Sequence, residues 1–172
     1  MISALAMSTY ALGMRRRFRP RGPRWQTADP RALLAWQPQL RAVAEAAERD
    51  GRPDAPWLLN ELGYHLYTVA DLAGAKAAYE RTLAIDERVL GPDHPDRAAT
   101  VNNLGSVLQD QGDLDEARVA LERALAISER VLGPDHPNVA NKVNNLGTVL
   151  REQGDLDGAR AAYERARAIL QR

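Results

Sequence analysis

The chain repeats itself every 42 residues. Gly63, Gly105 and Gly147 stand 42 apart, as do Gly91 and Gly133, and Glu87–Pro95 and Glu129–Pro137 are the same nine residues, ERVLGPDHP. Residues 101–130 and 143–172 agree at 21 of 30 positions, and 59–88 and 101–130 at 15 of 30, which chance does not produce. A unit of this size cannot bury its own apolar face, so similar units must stack into an array in which each contacts only its neighbours.

Within a unit the apolar residues follow a helical period. Val101, Leu104, Val107 and Leu108 mark one helix, and Leu114, Ala117, Leu121, Leu125 and Ile127 mark a second. Spacings of three and four place each set on one helical face, so each repeat is predicted to be a helical hairpin. The turn inside it is Gln111-Gly112-Asp113. Gly112 can take the left-handed conformation that ends the first helix, and Asp113 can cap the second by accepting its free amide hydrogens. Gly154 and Asp155 repeat the device, whereas the first copy has Ala70 before Asp71, which predicts a less sharply defined helix end there.

Successive hairpins are joined by Gly-Pro-Asp-His-Pro. Gly91 and Gly133 are suited to stop a helix, and Pro95 and Pro137 to open the next, because the hydrogen that proline lacks would go unpaired in a first turn anyway. The Asp-His pairs of this linker invite a metal or catalytic reading. His94 and His136 recur with the architecture, however, and one histidine per linker without further ligands is a poor metal site, so both are read as loop or cap residues. His65 stands where the other copies have Val107 and Val149 and is expected to be packed, with one ring nitrogen satisfied locally.

These residues resemble the tetratricopeptide repeats, in the 42-residue form found in kinesin light chains and many bacterial proteins. The match lies in Leu-Gly at 62–63, 104–105 and 146–147, small residues at Ala75, Ala117 and Ala159, large ones at Tyr79, Leu121 and Tyr163, and small ones again at Thr82, Ala124 and Ala166. The strings Asn-Asn-Leu-Gly and Gly-Asp-Leu-Asp-x-Ala also fit. Small residues have a physical role here, since helices crossing at about 8–10 Å need a glycine or alanine to admit a facing bulky side chain. The resemblance implies an all-α fold, a right-handed α-solenoid of helical hairpins at about 57–95, 96–137 and 138–172, together spanning 56–172.

Residues 29–55 read as an N-terminal helical segment, with Leu33, Leu34, Leu40, Val43, Ala44 and Ala47 as its apolar set, Pro38 limiting its continuity, and Pro53 in register with Pro95. It is expected to be a degenerate repeat. The segment also resembles what precedes such repeats in bacterial signalling ATPases of the NB-ARC type. Those proteins carry a GxxxxGK[ST] phosphate loop and this chain has none, so their ATPase activity does not transfer. At the other end Arg167 replaces Leu83 and Leu125, and with Gln171 and Arg172 it is read as a polar cap on the last hairpin.

Charge is distributed unevenly. The 23 basic and 23 acidic residues balance, but residues 1–24 hold Arg15, Arg16, Arg17, Arg19, Arg21 and Arg24 and no acid, leaving 17 bases against 23 acids in the rest: an arm of +6 on a body of −6. Residues 1–28 are expected to be a flexible arm, because clustered like charges among prolines and glycines bury too little to offset ordering. Its apolar stretch, Met1–Met14, is far shorter than the roughly 20 residues a membrane span needs, and its positive charge follows the apolar run rather than preceding it, unlike a secretory signal. With no net charge, general nucleic-acid binding is not expected, although the arm alone could touch phosphates. The absence of cysteine removes disulfides, thiolate-bound zinc and thiol nucleophiles and suits the cytoplasm.

In the family the first helix of each hairpin lines a concave groove, and the corresponding positions here are Asn60, Asn102 and Asn144 at one level, with Asn103 and Asn145 beside them. Tyr64, Ser106 and Thr148 follow one turn on, then Tyr67, Gln109 and Arg151, with Thr68, Asp110 and Glu152 alongside. Each side-chain amide offers donors and acceptors that an extended peptide can use whatever its sequence. The same amides could equally bond to neighbouring helices. Arg151 could meet a ligand carboxylate, although Asp110 and Glu152 make the groove mixed in sign. Tyr64, Tyr67, Trp36 and Trp57 either cover the first repeat or offer an interface. No phosphate loop, HExxH or nucleophile elbow is present, so neither an enzyme nor a cofactor or metal is expected. The reading is a protein-interaction adaptor that binds a peptide or protein segment. The alternative is a self-associating or sensor module acting with a separately encoded ATPase.

Overall fold

The computed structural model describes residues 37–89 and 94–171. The arm 1–28, and with it Trp36, Gly91 and Arg172, lies outside the described residues. Among those described there are seven α-helices and no strands: α1 Gln37–Arg49, α2 Ala55–Thr68, α3 Leu72–Val89, α4 Pro95–Gln111, α5 Leu114–Leu132, α6 Pro137–Glu152 and α7 Leu156–Leu170. Each of α2/α3, α4/α5 and α6/α7 is a tightly packed hairpin, and the hairpins join through α3 on α4 and α5 on α6. Helix α1 packs on α2 in the same sequential order. Every helix therefore touches mainly its neighbours in sequence, the arrangement of a helical-repeat solenoid.

The hairpins close because one helix has no side chain where the other has a bulky apolar or aromatic one. A Cβ at Gly63 would stand 2.7 Å from the Tyr79 ring, one at Gly105 2.8 Å from Leu121, and one at Gly147 3.0 Å from Tyr163. Around these contacts Leu59, Leu62, Leu66, Tyr79, Leu121, Val107 and Val149 are buried.

The turns follow the sequence reading with two corrections. Gly112 and Gly154 are left-handed, at φ 85° and 86°. Ala70 adopts the same conformation, at φ 62°, and the first hairpin makes the same pair of bonds, Ala70 N–H to Tyr67 and Asp71 N–H to Leu66, that Gly112 and Asp113 make to Gln109 and Leu108. Its helix end is as sharp as the others, at the cost of a strained alanine. The second correction concerns Asp113. Asp71 and Asp155 each accept an amide hydrogen, from Gly74 and Gly158, at 2.9 Å, but Asp113 caps nothing with its side chain. A Cβ at Gly74 or Gly158 would lie 2.5 Å from the capping carboxylate, and the corresponding residue of the second repeat is Glu116, whose Cβ takes that space.

The linker histidines behave as caps. His94 Nδ1 accepts the Asp96 amide hydrogen at 3.2 Å and His136 Nδ1 that of Asn138 at 3.0 Å, each with proline as the first helical residue. His65 is only 7% exposed and its Nε2 has no hydrogen-bond partner, so the local satisfaction expected of its ring does not extend to that nitrogen. On the last helix Arg167 is exposed, and so are Leu156 and Leu170, at 66% and 61%.

Candidate functional site

Helices α2, α4 and α6 carry the polar positions singled out in the sequence, and hydrogen bonds tie them together across hairpins. Asn145 Nδ2 donates to Asn102 Oδ1 at 3.1 Å, Gln109 Nε2 to Glu152 Oε1 at 2.8 Å, and Thr100 Oγ1 to Asn60 Oδ1 at 3.4 Å. Equivalent stretches of successive first helices thus lie side by side in one polar strip. The amide bond joins Asn102 to Asn145 rather than to Asn144, so the rungs step one residue between helices instead of running level. These bonds come from sequence-distant residues at spacings of 40 and 43, which only the stacking brings within reach.

The remaining positions differ in burial and in local bonding. Ser106 and Thr148 hydroxyls donate to the Asn102 and Asn144 carbonyls, at 3.3 and 3.2 Å, and the Tyr163 hydroxyl donates to Thr148 Oγ1 at 3.3 Å. Asn103 hydrogen-bonds the buried Tyr79 hydroxyl, whose acidity is suppressed mainly by burial. The Tyr67 hydroxyl is pushed up to about 12, first by burial and then by its hydrogen bond to the Asp110 carboxylate. Tyr64 is half-buried, while Asn144 and Arg151 are exposed on α6. Chemically the strip can donate and accept hydrogen bonds. Among the described residues no group of three or more His, Cys, Asp or Glu side chains is placed to hold a metal ion.

Two ionisable residues on these helices escaped the sequence reading. Burial raises the pKa of Glu61, beside Asn60, and lowers that of Lys142, two residues before Asn144. The repeat alignment marks both, since Glu61 stands where the sister copies have Asn103 and Asn145, and Lys142 where they have Leu58 and Thr100. A lone charge at an otherwise uncharged repeat position was the available signal.

Comparison with known proteins agrees with this architecture. The chain is similar in fold to BtubC (BKLC) of P. vanneervenii, with a TM-score of 0.70 and 23% identity over 97% of this chain and 72% of that one. It is also similar to a kinesin-light-chain-like protein of Podosopora anserina built from nearly identical TPR-like repeats, with a TM-score of 0.63 and 21% identity over 97% and 85% of the two chains. Comparison with curated protein sequences finds no match. The tetratricopeptide repeat model matches residues 54–109 and 96–172. With glycine-to-ring contacts closing each hairpin and polar residues bonded from one first helix to the next, the chain belongs to the tetratricopeptide repeat family.

Proposed function

We propose that the chain is a non-enzymatic adaptor that binds an extended peptide or protein segment along the polar strip of α2, α4 and α6. Tetratricopeptide repeats generally mediate protein–protein interaction, and among the described residues no helix is long and apolar enough to cross a membrane. The observation that supports this reading is the cross-hairpin bonding of Asn102 to Asn145 and Gln109 to Glu152, which spaces amide groups along one surface. An amide has two donor hydrogens and two acceptor sites, and the Asn102–Asn145 bond uses one of each, leaving the others for a peptide backbone. Asn60, Asn102, Asn103, Asn144 and Asn145 contact the backbone in this reading. Tyr64, Tyr67, Ser106, Gln109, Thr148 and Arg151 select side chains. The binding unit is 56–172, preceded by a degenerate repeat at 29–55 whose helix α1 packs on α2 of the first hairpin.

The test uses peptides selected from a random display library on the wild-type chain, then measured against Asn144→Ala and Asn102→Ala. Asn144 is exposed, so its truncation leaves the fold intact. Loss of a hydrogen bond worth about 1–1.5 kcal/mol predicts a roughly tenfold weaker Kd for Asn144→Ala. Unchanged affinity for both variants, with helicity retained, places peptide binding elsewhere. A second reading, self-association in a signalling assembly beside a separately encoded ATPase, draws on Leu156 and Leu170, exposed at the last hairpin. It predicts an oligomer in sedimentation that Leu156→Ser dissociates while the peptide affinity stays the same.

A further inference from the structure

The three repeats act as controls for one another, and the central one departs from both sisters at two surface positions. Residue 119 is valine where the others have Ala77 and Ala161, and residue 116 is glutamate where they have Gly74 and Gly158. Val119 is 66% exposed. On a helix surface a β-branched side chain is a poorer helix former than alanine and gains no packing in return. Its position explains it better than its helix does. Val119 edges an apolar groove of about 420 Å³ walled by α3 and α5 over α4, where Leu83 and Leu108 meet it and Asp115, Glu116 and Arg123 form the rim. Glu116 Oε2 is 3.7 Å from Lys76 Nζ, yet the Glu116 side chain is 69% exposed and keeps most of its carboxylate in water. At 100° per residue, Leu108 points away from the α4 face that holds Asn102, Ser106 and Gln109, so this groove is separate from the peptide strip.

We propose that this groove is the docking site of the chain's own N-terminal segment, Met1–Arg19. That segment supplies what the groove lacks: Ile2, Leu5, Met7, Leu12 and Met14, then Arg15, Arg16 and Arg17. Methionine adapts to irregular apolar slots, and arginine pairs with carboxylates such as Asp115 and Glu116. The charges complement each other on the larger scale too, since a +6 arm is tethered to a −6 body. The 22 residues between Met14 and Gln37 span up to about 70 Å when extended, several times the spacing of about 8–10 Å between packed helices. Tethering supplies a high effective concentration, so a small apolar contact suffices.

The absence of cysteine makes the test direct. In the full-length chain Ser8→Cys carries the only thiol, and a nitroxide attached there broadens the amide NMR signals it approaches. Docking predicts broadening concentrated on α3 and α5 around Leu83, Val119 and Arg123. It predicts loss of that broadening in Val119→Ala, which installs the sister repeats' residue and keeps the helix, and weakening in Glu116→Gln. Broadening that is absent, even over the surface, centred on Asn102 and Asn144, or unchanged in both variants overturns the proposal. So does broadening that appears only between separately labelled copies, which would make the contact intermolecular.

Discussion

Ala70 and Gly112 occupy the same turn with opposite solutions, and exchanging them should change stability in opposite directions. Both are left-handed, at φ 62° and 85°, and both turns make the same backbone bonds. A Cβ at Gly112 meets nothing within 4 Å, so Gly112→Ala adds no clash and the backbone conformation alone decides its cost. An L-residue in this region costs about 1–2 kcal/mol. Glycine gives back about 0.4–1 kcal/mol of that through the greater freedom of its unfolded chain. The difference predicts that Ala70→Gly stabilises by about 0.5–1 kcal/mol. Gly112→Ala should destabilise by about 1 kcal/mol, towards the upper end because its φ lies further from the left-handed optimum near +57°. The assay is urea unfolding followed by far-ultraviolet circular dichroism, with the two variants and wild type compared at equal m value so that array fraying does not enter the difference. A neutral Gly112→Ala, or an Ala70→Gly that loses more than about 0.5 kcal/mol, refutes the claim that φ governs this position.

Three further outcomes follow from the packing. His65→Val removes a buried nitrogen without a partner and inserts the residue of both sister repeats, so it should stabilise by about 1–2 kcal/mol in thermal or urea unfolding. Burial lowers the His65 pKa, so below about 6.5 the unfolded chain binds the proton more readily than the folded one; wild-type stability should fall as pH drops from there, and that part of the slope should vanish in His65→Val. Gly105→Ala drives a Cβ to 2.8 Å from Leu121 and should cost about 1–3 kcal/mol, with a smaller penalty in a Leu121→Ala background measured by a double-mutant cycle. Asp155→Ala should cost about 1 kcal/mol through the lost Gly158 cap, but close to nothing in Gly158→Ala, where the added Cβ has already displaced the carboxylate.

Which helices carry the polar strip was readable in the sequence, because a 42-residue period carries every first helix back to the same face. Its connections were not. Asn102 bonds Asn145 and not Asn144, and Asn60 takes its bond from Thr100, because the offset between stacked helices is set by how their side chains interdigitate. Arg97 and Asp86 make the same point in the core. Both are almost fully buried where α3 meets α4, while their counterparts Val139 and Ser128 show that the next junction uses no charge. A spacing argument treats the two junctions as equivalent.

What the sequence determined by itself is local and periodic: hairpins of helices, turns at Gly112 and Gly154, proline-led helix starts at Pro95 and Pro137, and stacking as the only way to bury the apolar faces. Those rest on backbone conformation and helical spacing, which a few neighbouring residues settle. Tertiary structure decided what depends on distant atoms sharing space. It held Ala70 in a glycine's conformation, joined Asn102 to Asn145 across hairpins, and left Val119 exposed above an apolar groove. Each outcome depends on which contacts the packed array supplies to outweigh a local preference, and packing is a property of the whole stack rather than of any one repeat.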